Sequence, residues 1–436
     1  MRVAALLSII TPYLELADVT IGTVPASRGE HLAYPATVVT RAVEEYFGEA
    51  ANKSLVLVEM VPGDGRESAD AWGRKVEAVV GCHALYRTPA MALFGLDSPA
   101  VALLDDQLAA VVDAQVSVID GPIQTLPAHA EARLTAIRDK MLTKTTPDPF
   151  IVSMANKVDA GKLRASLEYL TGVSSTIVTR NSYSDDAIKV SHWLVHELET
   201  LGYEVEYWPY SDRYSPNVIA TLPGRFDTSY VIIGGHYDSR SRNVSSPTDP
   251  APGANDDGSG TALNLEVARV LASSPVTLNY TVRIGFWSGE EQGRRGSKAY
   301  AGRADNSGDD IIAYINSDMV AYRPPEVETM EIALLQRDSN AVLNEILMPV
   351  IALYEPHVSV CYSPVCCADQ ASFNRKQYPA SGVFENCDWI RDPMYHKEGD
   401  ILDRPGYDVD GQLTTTTRAV IAIVLTLTGF PDPSLA

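Results

Sequence analysis

The sequence predicts an α/β protein, a sheet with helices on both faces, preceded by a smaller α+β domain. Three observations predict it. Apolar runs of strand length alternate with stretches of helical period from about residue 160 onward. One of them, YVIIG at 230–234, is continuously apolar, as a strand buried on both faces must be. A separate βαββαβ rhythm lies upstream of KTTPDPF (144–150), where two prolines, two threonines and an aspartate interrupt the apolar patterning.

Taken in order, 54–60 (SLVLVEM) has the composition of a strand and 68–80 the period of a helix. Strands follow at 82–87 and 90–96 around a Thr-Pro turn, then an Ala/Leu-rich helix at 99–114 and a strand at 116–120. With the break read as a linker, the domains run 1–148 and 149–436, the first ferredoxin-like. Downstream, 161–172 and 185–202 read as helices. The second carries Leu194, Val195, Leu198 and Leu201 on one stripe and ends at Gly202. Strands are expected at 205–210, 217–222, 230–234, 281–287 and 311–316, and helices at 260–273, 338–354 and 409–429.

Composition narrows the function. Lys and Arg total 35 against 56 Asp and Glu, so the formal charge is −21, and such a surface repels nucleic acid and anionic lipid. No apolar stretch is long enough for a membrane helix. The N-terminus, MRVAALLSIITPYLELADV, has no clear signal-peptide cleavage site, although a secreted or extracytoplasmic location is the expectation. The five cysteines, Cys82, Cys361, Cys366, Cys367 and Cys387, contain no CxxC pair, so a zinc–thiolate site is not expected. One local disulfide or buried free thiols fit the C-terminal four equally well.

Five candidate metal ligands sit just past predicted strands or in loops, where open α/β sheets place their sites. His236 follows YVIIGG, Asp256 lies in PGANDDGSG before a helix, Glu291 follows IGFWSGE, Asp318 follows YINS, and His396 lies in DPMYHKEGD. Imidazole with carboxylate is a donor set that suits zinc. Two cations about 3.5–4 Å apart need a shared anionic ligand between them. Asp256, after its Gly-rich turn, is the natural bridge, and each metal then takes one His and one further carboxylate. Glu290, free beside Glu291, can move a proton. Singly, each motif reads as a helix cap or a solvated loop; their joint occurrence along one sheet edge carries the reading.

Together, GGHYDS (234–239), PGANDDGSG (252–260), FWSGEEQG (286–293), NSDM (316–319), CADQASF (367–373) and DPMYH (392–396) resemble the zinc metallopeptidases of family M28, the aminopeptidase Y or bacterial leucyl aminopeptidase type. The resemblance spans roughly 155–430. It implies a three-layer, zinc-exopeptidase-like domain around a mixed, mostly parallel sheet, and a cofactor of two Zn²⁺ per chain. One zinc falls to His236 and Asp318, the other to Glu291 and His396, with Asp256 bridging. It further implies Glu290 as general base and acid, Asp238 as the carboxylate that orients His236, and Tyr395 as a donor to the tetrahedral oxyanion. The substrates implied are peptides with a free N-terminus and an apolar first residue, for which Met319, Tyr362, Phe373 and Phe384 are candidate pocket residues.

Two departures from the family pattern stand out. A cysteine pair spaced i, i+4 is common before the ADQASF stretch, but position 363 is Ser here. A Cys361–Cys367 bridge is conceivable and vicinal Cys366–Cys367 is strained, and the pairing among Cys361, Cys366, Cys367 and Cys387 stays open. Residues 1–148 lie outside the resemblance and read as prosegment-like. Carboxypeptidases share the scaffold, and glutaminyl cyclases use a one-zinc version that the five-ligand set argues against. A decayed binding domain should have lost a ligand or Glu290.

Overall fold

The computed structural model describes residues 126–365 and 368–431 and, upstream of these, four strands. These are β1 (Lys53–Met60), β2 (Tyr86–Arg87), β3 (Met91–Asp97) and β4 (Ala114–Val118). They form one sheet in the order β2-β3-β1-β4, every neighbouring pair antiparallel, which is the order a βαββαβ unit gives when each crossover skips a strand. The helices expected at 68–80 and 99–114 lie outside the described residues.

The chain divides into two compact units, 1–121 and 122–436. The second therefore starts well before the boundary expected at 149, and the supposed linker is a short connection between two helices of this unit, ending in the start of the second. The helix α1 (Ala128–Leu142) precedes it, with Leu134 and Met141 buried. Then α2 (Pro149–Ala155) begins with Asp148 as N-cap, its carboxylate accepting from the Phe150 N–H at 2.9 Å, and with Pro149 in the first turn, where a missing N–H costs nothing. The residues that suggested a break are thus a helix-initiation signal.

Eight strands make the main sheet in the order β11-β10-β12-β9-β7-β8-β6-β5. The expected strands appear as β5 (Glu204–Trp208), β6 (Asn217–Leu222), β7 (Phe226–His236), β8 (Tyr280–Trp287) and β9 (Asp310–Ser317). Three further strands, β10 (Glu331–Leu335), β11 (Ser359–Ser363) and β12 (Ala380–Phe384), extend one edge. The centre, β8-β7-β9-β12, is parallel, and antiparallel pairs occur toward both edges. The central strand β7 is buried on both faces. Val231 and Ile233 point into the larger core with Val282, Ile284 and Phe286, while Tyr230 and Ile232 pack on the opposite face with Trp287, Tyr314 and Phe373.

Helices cover both faces. On the larger core lie α1, α2, α3 (Ala160–Leu170), α4 (Asp185–Thr200), α5 (Gly258–Ala272), α7 (Ala341–Tyr354) and α9 (Thr414–Thr428). On the other face lie α6 (Arg295–Ser307) and the short α8 (Gln370–Asn374). Cys361 on β11 is bonded to Cys387, just past β12, with Cα atoms 5.5 Å apart. Of the pairings that the sequence left open, the structure thus uses Cys361–Cys387 and not the conceivable Cys361–Cys367. β11 and β12 flank β10, so the two cysteines meet across that strand.

Candidate metal centre and active site

The C-terminal ends of the central parallel strands gather the candidate residues. His236 is the last residue of β7, the Glu290–Glu291 turn follows β8, and Asp318 follows β9. Asp256 lies in the turn that enters α5, and the Asp256–Asp257 peptide is cis. Asp257 caps that helix, accepting from the Gly260 N–H at 2.8 Å and the Met319 N–H at 3.2 Å. Gly260 permits the approach, since a Cβ there would come within 2.0 Å of the Ser317 carbonyl oxygen. Gly289 takes φ +71°, which turns the chain so that Glu290 and Glu291 face the sheet edge. His396 itself, on the loop after Asp392, has φ +57°.

Two triads of donors result, and they share one residue. His236 Nε2 lies 3.3 Å from Asp256 Oδ1 and 3.6 Å from Asp318 Oδ1. His396 Nε2 lies 3.3 Å from the other oxygen, Asp256 Oδ2, and 3.3 Å from Glu291 Oε2. Within each triad the donor atoms lie within 4.8 Å of one another. Asp256 Oδ2 and Glu291 Oε1 are buried with no hydrogen-bond partner, a costly state for a carboxylate unless a cation completes it. Each triad is one imidazole with two carboxylate oxygens, a set that fits zinc with positions to spare.

The surroundings are anionic. Burial would lower the His236 pKa, but the Asp318 and Asp256 carboxylates hold it well above the usual value. Burial raises Asp256 as well, yet the two histidines leave it below the ordinary carboxylate range. Burial, with neighbouring carboxylates adding to it, pushes Glu290 and Glu291 well up. Asp369, two residues past the undescribed pair Cys366 and Cys367, is buried beside this cluster and raised to about 7, chiefly by desolvation.

Asp238 lies beside His236 and also reaches the turn that carries the glutamates. His236 Nδ1 lies 3.0 Å from the Asp238 main-chain carbonyl and 3.7 Å from its carboxylate. The carboxylate instead accepts from the backbone N–H groups of Glu290 (3.2 Å) and Glu291 (3.3 Å). It therefore ties the strand end carrying one histidine to the turn carrying both glutamates. Tyr395 is half-buried and stacks on His396, ring centroids 3.6 Å apart. Its ring belongs to an apolar cluster with Met319, Val365, Phe384, Trp389 and Ile390. Of the pocket candidates, Met319 and Phe384 fall in this cluster. Phe373 is on the opposite sheet face against Tyr314, and Tyr362 is exposed on β11.

The sequence reading missed a cation whose charge acts on the centre. Arg240, half-buried two residues past Asp238, acts electrostatically on Asp256, Glu291 and Tyr395. Its Nε and Nη2 donate to the carbonyls of Ser241 and Arg242. Also missed were Arg180, Asp392, Asp400 and Arg404, whose buried side chains hold the Asp256 turn. Their partners, main-chain groups for Arg180 and Asp400 and side chains for Asp392 and Arg404, are brought in by the fold.

A parallel-centred three-layer sheet with histidine–carboxylate triads at its C-terminal edge defines a metallohydrolase of the exopeptidase type. Residues 217–421 match the model of Peptidase family M28. That segment is thus a metallopeptidase domain of this family, and the chain is a hydrolase of the aminopeptidase class. Leucine aminopeptidase 1 of Sclerotinia sclerotiorum is 27% identical over 308 residues, covering 66% of this chain and 76% of its own length. Leucine aminopeptidase 1 of Metarhizium robertsii is 28% identical over 280 residues, 59% of this chain and 68% of its own. Among solved structures, the Legionella pneumophila LapA aminopeptidase superposes with a TM-score of 0.61 at 18% identity, covering 87% of this chain and 99% of that one. LapB from the same organism gives 0.59 at 17%, covering 86% and 100%.

Proposed function

We propose that this aminopeptidase uses two zinc ions and removes apolar residues from the free N-terminus of peptides. The observation that supports it most is Asp256, whose two carboxylate oxygens each face a different histidine at 3.3 Å. Zinc bound there would supply Lewis acidity toward a carbonyl oxygen and toward a water. Glu290 takes the proton of the attacking water and passes it to the departing amine as the C–N bond breaks. Tyr395, one residue before His396, donates to the oxyanion that develops on the scissile carbonyl. The carboxylates lining the edge attract an α-amine, and the cluster of Met319, Phe384, Trp389 and Tyr395 offers an apolar side chain a surface.

The test compares amino-acid p-nitroanilides with their N-acetyl forms, with and without chelator and restored Zn²⁺. The expected result is cleavage of Leu-, Met- and Phe-p-nitroanilide, loss on chelation, recovery with zinc, and no cleavage of the blocked forms. Comparable cleavage of N-blocked substrates, including an N-blocked dipeptide with a free C-terminus, would instead favour a carboxypeptidase that uses Arg240.

A further inference from the structure

The turn 252–257 that carries Asp256 is gripped from two sides. From one side comes Arg180, fully buried on the segment between α3 and α4. Its guanidinium donates to the Tyr237 carbonyl (2.7 Å), the Gly253 carbonyl (2.9 Å), the Leu170 carbonyl (3.1 Å) and the Pro252 carbonyl. Tyr237 directly follows His236, so Arg180 fixes His236 and the Asp256 turn to one planar group. From the other side comes Asp400, four residues past His396. Its carboxylate accepts from the N–H groups of Asn255 (3.0 Å) and Asp256 (2.9 Å), and its own carbonyl accepts from the Ala254 N–H (2.9 Å). Arg404 holds Asp400 Oδ1 at 2.9 Å and reaches Asp392 with the same nitrogen. The loop that carries His396 is thereby clamped to the turn that carries Asp256.

We propose that Arg180 and Asp400 are positioning residues with separate jobs. Arg180 sets the affinity of the metal position shared by His236, Asp256 and Asp318, and Asp400 sets that of the position shared by Asp256, Glu291 and His396. Neither side chain belongs to either donor triad. Each fixes the distance between the shared carboxylate and one histidine. Groups that hold ligands in place are typically worth ~10–100-fold in metal affinity. Asp400→Asn turns one acceptor oxygen into an NH₂ facing a backbone N–H, so the clamp loses a hydrogen bond and its charge. Arg180→Lys replaces a planar fork with a single ammonium that cannot span four carbonyls. The proposal rests on the two-metal reading of Asp256.

Zinc is titrated into the metal-free full-length chain against a chromophoric chelator, with melting temperature and circular dichroism monitoring the fold. Asp400→Asn is expected to weaken one binding step about 10–100-fold and leave the other within about 3-fold. In a Glu291→Gln background, where its own position is already impaired, Asp400→Asn should change the remaining step little. Arg180→Lys should show the mirror pattern, being silent in an Asp318→Asn background. Equal weakening of both steps by either variant, or no weakening, overturns the proposal. If Asp400→Asn does not fold, Arg404→Gln, which leaves Asp400 in place without its clamp, carries the same comparison. Failure of the underlying reading looks different: the wild-type chain takes up fewer than two metals, or Asp256→Asn keeps both.

Discussion

The two ends of strand β9 carry the same residue type in opposite circumstances. At its start, Asp310 is satisfied by the chain itself, accepting from Arg133 Nη2 at 2.8 Å and Ser229 Oγ at 2.5 Å. Burial would raise its pKa, but these partners hold it below the usual carboxylate range. Past the end of β9, Asp318 faces His236 within a crowd of acids, and buried oxygens of Asp256 and Glu291 nearby have no hydrogen-bond partner. A carboxylate completed by its own chain belongs to the architecture. A buried one left incomplete, beside others like it, marks a place for a cation. Substitutions at the two ends should therefore differ in what they disturb.

The largest expected effect is on turnover at the incomplete end. Glu290→Gln should lower kcat by ~10²–10⁴-fold, because an amide cannot take up the proton, while metal content and melting temperature stay near wild type. Glu291→Gln should instead cost metal. Steady-state kinetics beside metal analysis separate the two, and an active Glu290→Gln that had lost metal would reverse the roles. Next in size is metal removal. With free zinc at 100 to 1,000 times its dissociation constant, binding adds ~3–4 kcal/mol to stability, so chelation should lower the melting temperature by several degrees. Arg133→Met and Asp318→Asn then sharpen the contrast: the first should leave that chelation-dependent shift intact, and the second should shrink it.

The site was more legible in the sequence than the frame around it, for physical reasons. His236, Asp256, Glu291 and Asp318 follow central strands or precede a helix whose apolar runs announce them. The strands β10, β11 and β12 were not read, being five residues each and without strict alternation. Nor was α6, whose sequence RGSKAYAGRADNS is mostly polar and buries only small residues and Tyr300. KTTPDPF misled because Pro in a helix's first turn looks locally like a breaker. The Cys361–Cys387 bond depends on which strand lies between two others, and that is a property of topology.

At the completed end the effect should fall on stability. Asp310→Asn should cost about 1 kcal/mol, the pair being only partly buried and so partly screened, with kcat unchanged. The sign follows from the lowered pKa. The stabilisation is complete above the unfolded-state value and is lost as pH falls through the lower folded-state value. The gap between wild type and variant should therefore be constant near pH 6 and close below about pH 4. A gap that widened with acid would contradict the Arg133 pairing.

The smallest effect belongs to Glu355, which tests whether burial alone can mimic a site. It ends α7, is 5% exposed, and its pKa is raised to about 7 by desolvation, which Arg418 only partly opposes. It sits where the helix dipole also disfavours negative charge, and among the described residues it belongs to no donor triad. A carboxyl whose folded pKa is raised favours folding fully at pH below its unfolded value. That contribution is lost as pH rises toward about 7, leaving the buried charge as a penalty above it. Glu355→Gln removes the penalty, so its melting temperature should exceed that of wild type by about 2–4 °C at pH 8 and match it near pH 5. Zinc affinity and kcat should not move. A change in metal binding would mean that the field of the anionic edge reaches α7. A gain in stability alone would show that a raised pKa without an arranged set of donors marks only a cost of burial.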